Sequence, residues 1–396
     1  MKKEDKTPNV AAYARFAQRH QTVTPNETRV AIYCKADPTL NEKARRADLT
    51  RQQGTLRELA EALGFEVVQI YEDDTRTQTA SRLLADYNQR KIDAVFTTER
   101  GSITNAPYTD PALLEKMPIL DLQDLGLMQK LRPLRVLSID FDYFLRANDP
   151  KAWCYYPDSG CEFNPEIQKV VWITQYASAI AHGDDLTKLF SLDNEALQKL
   201  EDFLRNKCTA KKYLIAESHS SAYKFIKDLS REAGKPVEVF NIDHHSDTYT
   251  TGELNCGNWL KLLLEKNIVT SAVWCMDIKK EDPYMDKRVQ RMDDLDACLN
   301  SGPFDAVFLC RSGGWVPPHM DKKFVYGLIK AILDRAYDDE ADEDESTRPS
   351  VEAVNMDYVI SDRYNDEFQK SVKDMAEIEM KAIQQYQTTV AKKSDE

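Results

Sequence analysis

The chain is predicted to be an α/β protein, with two parallel-sheet, three-layer domains and a C-terminal helix. Three observations predict this. Short apolar runs alternate with amphipathic stretches along most of the 396 residues, the pattern of strands joined by crossover helices. The alternation restarts at Leu134, after a stretch broken by Pro107, Pro111 and Pro118. Several apolar runs end in clusters of Asp, Glu, Ser and His, at the edge where open parallel sheets bind their ligands.

Residues 1–27 are polar and carry few strand signals. The run Arg29 to Cys34 predicts a strand, and Leu49 to Leu63 has helical spacing and stops at Gly64. Phe65 to Tyr71 is a second strand, Ser81 to Gln89 a short helix, and Ile92 to Thr97 a third strand. Residues 101–130 connect. The second unit opens with the strand Leu134 to Asp140, followed by a Tyr-, Pro- and Cys-rich loop from Pro150 to Pro165. Helices are predicted over Ile167 to Ala181 and Asn194 to Leu204. Further strands are Lys212 to Ala216, Val237 to Ile242, Ile268 to Trp274 and Phe304 to Leu309, with helices between them. An acidic block from Tyr337 to Glu345 predicts a solvated linker. Phe368, Val372, Met375, Ile378 and Ile383 fall near helical spacing, so a last helix docks on the body or on another subunit. The expected layout is a polar segment over 1–27, an α/β domain over 28–125, a metal-binding α/β domain over 131–336, an acidic linker or loop over 337–350 and a helical tail over 351–396.

Hydrophobic residues make up 42% of the chain, enough for a sizeable core, and the net charge of −13 disfavours nucleic-acid binding through an overall basic surface. The eight cysteines are scattered without a CxxC pair, against a zinc ribbon or thioredoxin motif. Reduced thiols and the lack of an apolar leader point to a cytoplasmic protein. No run approaches the roughly 18 apolar residues of a membrane span.

The chemistry concentrates at strand ends. In Asn241-Ile242-Asp243-His244-His245-Ser246-Asp247, an extended chain puts Asp243, His245 and Asp247 on one face. Ser138-Ile139-Asp140-Phe141-Asp142 places two carboxylates on one face, and Glu217-Ser218-His219-Ser220 follows another strand. A fourth strand end carries Arg311 to Asp321, a loop with His319 at its polar tip. Asp140, Asp142, His219, Asp243, His245 and Asp247 could hold two ions between them. Four crowded carboxylates cannot all stay ionised without cations, and two divalent ions would balance their charge. Oxygen ligands with imidazole suit Mn2+, with Fe2+ or Zn2+ as alternatives. A water shared by two such ions is acidified into a nucleophile near neutral pH.

These clusters resemble the arginase and deacetylase superfamily of binuclear manganese ureohydrolases, over about residues 134–335. The DxHxD motif is matched by Asp243 to Asp247, the SxDxD motif by Ser138 to Asp142, and the histidine turn loosely by Ala216 to Ser220. Asn255 to Trp259 and Trp315 to Asp321 look most like the branch that includes peptide arginases, which convert arginine to ornithine in precursor peptides. Two departures stand out. The SxDxD strand precedes the DxHxD strand here, the reverse of the family order, and the family's late guanidinium-binding glutamate has no clear match. The resemblance implies that Asp140 and Asp243 bridge both ions, that His219 and Asp247 complete one, and that Asp142 and His245 complete the other. Asp247 would also serve catalysis by accepting a hydrogen bond from the nucleophile, and His319 would carry a proton to the leaving amine. Glu217 and Asp321 are candidates to bind a cationic substrate. Trp259 and Trp315 are read as core, with a pocket wall as the alternative.

Residues 29–105 resemble the catalytic domain of serine recombinases, the resolvase and invertase family. The matches are Arg29 to Lys35, Arg51-Gln52-Gln53 through Val68, Tyr71-Glu72-Asp73, and Lys91 to Val95 with Glu99-Arg100. The chemistry does not match. Asp37 stands in the place of the nucleophilic serine, Lys35 in that of an arginine, and Thr104 near a second arginine. A carboxylate repels phosphate there, so the domain is expected to have lost catalysis and to serve dimerisation or partner docking.

The leading expectation is therefore a metal-dependent hydrolase of a C–N bond. It would act on an arginine-containing peptide or a small guanidino or amide compound. The alternatives are a non-catalytic interaction protein with two degenerate domains, and a DNA-associated recombinase-like protein. DNA and membrane partners are disfavoured, and any homo-oligomer is expected to form through the first domain or the last helix.

Overall fold

The structure, a computed structural model, describes residues 28–63, 65–73, 79–99, 101–104, 111–157, 164–249, 252–276, 282–283, 285–337, 348–354 and 356–394. The chain divides into two compact units. The first takes the described residues up to 133 together with 300–303, and the second takes 134–299 and the described residues from 304 onward. Both are α/β with parallel sheets.

The first unit has strands β1 (Arg29–Lys35), β2 (Glu66–Asp73), β3 (Ala94–Thr97) and β4 (Ile119–Leu120). They form a parallel sheet in the order β2-β1-β3-β4. Alternate residues of β1 feed cores on opposite faces: Val30, Ile32 and Cys34 on one, Ala31 and Tyr33 on the other. The first helix spans Glu42–Leu63, starting seven residues before the expected Leu49 because its N-terminal turns are polar and carry no apolar period. The stretch expected only to connect holds a two-residue fourth strand and helices at Pro111–Lys116 and Leu122–Leu131.

The second unit contains β5 (Leu134–Asp140), β6 (Leu145–Ala147), β7 (Phe190–Leu192), β8 (Lys212–Ala216), β9 (Val237–Ile242), β10 (Val269–Cys275), β11 (Val289–Met292), β12 (Ala306–Cys310) and β13 (Ser350–Ala353). Seven of these make one parallel sheet, ordered β11-β10-β9-β5-β12-β8-β13, while β6 and β7 pair apart. Leu137, Ile139, Ile215 and Phe240 face one core, and Val136, Leu214, Ala216 and Val239 face the other. Both faces are covered, which is why these strands read as continuous apolar runs.

From β5 the chain crosses to β8 on one side and then to β9 on the other. A crevice opens at the carboxyl ends where such a sheet reverses direction. β5 and β9 are neighbours, with Ser138 opposite Asn241 and Ile139 opposite Ile242.

The C-terminal region differs from expectation. The departure is β13, which extends the main sheet beside β8 where a helical tail alone is expected, while the long helix Asp366–Ser394 buries Phe368 and Val372 of the expected face together with Ala376. The strand was illegible because it is four residues long and its side chains are half-buried or exposed. The polar segment 1–27 and residues 338–347 of the acidic block lie outside the described residues. Among the described residues, no helix is long and apolar enough to cross a membrane.

Candidate metal centre

Four strand ends converge. Asp140 ends β5 and caps a short 3-10 turn over Phe141–Phe144, its carboxylate accepting from the Asp142 amide at 3.1 Å. Asp243 follows β9, and its Oδ1 accepts from the His245 amide at 2.7 Å. Asn241 Nδ2 donates to Asp243 Oδ2 at 3.2 Å, and Trp274 Nε1 donates to the Asp243 carbonyl at 3.0 Å. Asp247 takes a φ of +53°, a left-handed conformation that aspartate tolerates better than branched residues do. His219 lies beyond β8, and Ser312, beyond β12, donates through Oγ to Asp140 Oδ2 at 3.1 Å.

Two triads result, Asp140–His219–Asp243 and Asp142–Asp243–His245, each able to hold a metal ion. Asp243 belongs to both. The first is closed: His219 Nδ1 lies 3.0 Å from Asp140 Oδ2, 3.1 Å from Asp243 Oδ2 and 3.2 Å from Asp247 Oδ2, all buried. Although ringed by three oxygens, this nitrogen meets none of them in hydrogen-bond geometry. Neighbouring ligands around a small divalent ion with bonds of about 2.1 Å sit about 3 Å apart. The donor set and the orphaned nitrogen therefore fit an ion better than a hydrogen-bond network. The imidazole is fixed from behind, since Nε2 shares a 2.7 Å hydrogen bond with Ser138 Oγ and the ring stacks on Phe308 at 5.5 Å. The second triad is more open. His245 Nδ1 lies 3.5 Å from Asp142 Oδ2 and 3.6 Å from Asp243 Oδ1, and the His245 side chain is 35% exposed. Asp142 Oδ1 is buried and has no hydrogen-bond partner.

The electrostatics match a centre that trades protons for cations. Burial lifts the Asp140 and Asp247 carboxyls above the usual range, and the charge of Asp243 adds to this. Asp142 is pushed up to about 6 by burial, then by Asp140 and Asp243. Asp243 goes the other way: burial would raise it, but His219 and His245 hold it well below the carboxylate range. Burial would also lower both imidazoles, yet the surrounding carboxylates raise them well above the ordinary histidine value.

The other expected site residues fall elsewhere. Asp321 and Glu217, expected to meet an external cation, meet internal ones. Asp321 is bonded through both oxygens to the buried guanidiniums of Arg311 and Arg363. Glu217 lies 3.8 Å from Arg311 Nη1 and 3.9 Å from Arg363 Nη1. Both are buried. His319 shares a hydrogen bond through Nδ1 with Tyr176 Oη and packs edge-on to Tyr364. Burial pushes its pKa down to about 4, and its buried Nε2 has no partner. A neutral imidazole with so low a pKa is a poor proton carrier near neutrality. Trp315 stacks on Tyr156 with ring centroids 5.8 Å apart. Burial raises the Tyr156 phenol, and the charges of Asp142, Asp140 and Asp243 add to it.

Sequence reasoning gave no role to Ser312 or Tyr156, placed Ser138 only within its motif, and read Trp259 as core or pocket wall. Ser138 was findable, two residues before Asp140 on the same strand face. Ser312 adopts a φ of +54°, which nothing in its sequence neighbourhood announces.

In the first unit, Asp37 is tied into its own turn, with Oδ1 accepting from Thr39 N at 2.8 Å and Thr39 Oγ1 at 2.7 Å. It borders an open crevice of about 820 Å3 at the carboxyl ends of β1 and β3, with Lys35, Asp48, Arg51, Thr98 and Ser102 among the lining residues. Compared with models of known families and with curated proteins, the chain has no match.

Proposed function

We propose that the second unit is a binuclear metal-dependent hydrolase of a C–N bond. Its substrate is an arginine side chain, free or peptide-borne, cleaved to ornithine and urea, and its metal is Mn2+. The observation that carries the reading is His219 Nδ1, buried among three carboxylate oxygens at 3.0–3.2 Å and hydrogen-bonded to none. A cation between these side chains from separate strand ends would offset the cost of burying their carboxylates together.

Divalent ions held there would supply an acidified water as nucleophile and a Lewis acid for the departing nitrogen. The residues do the rest. Asp243 joins the two halves of the centre, and Ser138 and Ser312 fix the ligand orientations. The more exposed His245 side leaves room for a substrate. The Tyr156–Trp315 pair is the aromatic wall along which an arginine stem or a flat guanidinium would lie. The first unit carries no part of this chemistry and is read as a docking domain.

The test is direct. Protein loaded with Mn2+ is incubated with arginine, agmatine and arginine-containing peptides, and urea is assayed. Release of urea that disappears in Asp243→Ala is the expected result. Tight metal uptake with no urea from any of these substrates would leave a metal protein of different chemistry.

A further inference from the structure

We propose that Trp259 is a positioning residue for the closed half of the metal centre, and that its indole N–H makes the His219 side the tighter of the two ion positions. This rests on the metal reading and extends it to a residue with no ligating atom. Trp259 Nε1 donates to Asp247 Oδ2 at 2.5 Å, the same oxygen that lies 3.2 Å from His219 Nδ1. A carboxylate oxygen has two lone-pair directions, so one can accept the indole proton while the other faces an ion. The Trp259 ring also packs against the His219 imidazole, with centroids 5.0 Å apart. One side chain thus holds two members of the closed half.

The indole is well suited to this task. Trp259 has no exposed surface and opens the helix Trp259–Glu265, whose Lys261 amide donates to the Asp247 carbonyl at 3.2 Å. Trp259 is fully buried in the core that also holds Val239, Leu260 and Leu263, which leaves its ring no free space to turn. An indole nitrogen is a donor only, so this contact can be made only to an acceptor oxygen. In the open half the shared Asp243 Oδ1 accepts from the His245 amide at 2.7 Å, but no indole or hydroxyl donor reaches Asp142 among the described contacts. His245 and Asp142 meet at 3.5 Å, and Asp142 Oδ1 has no partner. Fixed orientation of ligands by their outer hydrogen bonds changes metal affinity by about 10–100-fold, and in this centre the closed half has more of that fixing from buried side chains.

The test is Trp259→Phe, which keeps a ring and removes the N–H. Mn2+ binding is followed by calorimetry and by the electron paramagnetic resonance of free ion. The wild-type protein is expected to bind one ion tightly and one more weakly. Trp259→Phe should weaken the tight step by about 10–100-fold and leave the weak one within about two-fold. Should the variant fold poorly, the wild-type protein still decides. In a 15N-indole spectrum one tryptophan N–H should lie far downfield in metal-free protein and shift on adding stoichiometric Zn2+. Equal affinities in wild type and variant, or indole resonances indifferent to Zn2+, overturn the role of Trp259. A wild-type protein that binds no ion overturns the metal reading itself, a separate outcome read before any variant is made.

Discussion

Removing the Asp243 carboxylate takes a ligand from both triads at once, because its two oxygens face His219 and His245 separately. Asp243→Ala should lose both ions in elemental analysis and lose the metal-dependent gain in melting temperature with them. Ser138→Ala should be milder. It frees only the back of the His219 ring, and a drop of about 10–100-fold in affinity at one position is expected by calorimetry. Protons compete with ions at these residues. Asp142 has a folded-state pKa of about 6, above the unfolded carboxylate value. Its contribution to metal-free stability is therefore present below an unfolded value of about 4 and lost as pH rises through the folded one. Metal needs the deprotonated form, so affinity rises over the same range. The difference in melting temperature between loaded and metal-free protein should be larger at pH 7 than at pH 5, as read by calorimetry at both.

At the scale of elements, the loop after β12 is held from the C-terminal region. Arg363 donates to the Gly313 carbonyl at 2.7 Å and the Val316 carbonyl at 3.3 Å while paired with Asp321, and Trp172 Nε1 donates to the same Gly313 carbonyl at 3.0 Å. A Cβ at position 313 would fall 1.8 Å from Glu217 Oε1, so any larger residue there must push the Glu217 carboxylate aside. Ser312 rides on the loop to reach Asp140. Arg363→Ala would leave Asp321 and Glu217 buried with one guanidinium instead of two. A loss of about 3–5 kcal/mol in denaturant unfolding is expected. Nothing in residues 351–396 signalled this contact in sequence, because Arg363 lies in a short irregular segment and its partners are far away along the chain. The strands that carry the ligands were legible in sequence, with ends misjudged by at most a residue or two. Their apolar runs are long and bounded by polar clusters.

For the whole molecule, the two units differ in what an ion can do for them. Every candidate ligand lies in the second, so metal should stabilise that unit alone. Scanning calorimetry of the full chain with Mn2+ at about 100 times its dissociation constant should raise the second unit's transition, by about 2.7 kcal/mol per site, and leave the first unit's unmoved. A shift of both transitions would mean that the units unfold as one.

The sequence alone determined the α/β class, the two sheets and six candidate ligands, because strand burial and strand-end polarity are local properties written residue by residue. It did not determine which strands are neighbours. That β5 lies beside β9, that Ser138 bonds His219 and Trp259 bonds Asp247, and that Glu217 and Asp321 face the molecule's own arginines were decided by tertiary structure. Each depends on contacts between residues far apart in sequence, and periodicity holds no record of those.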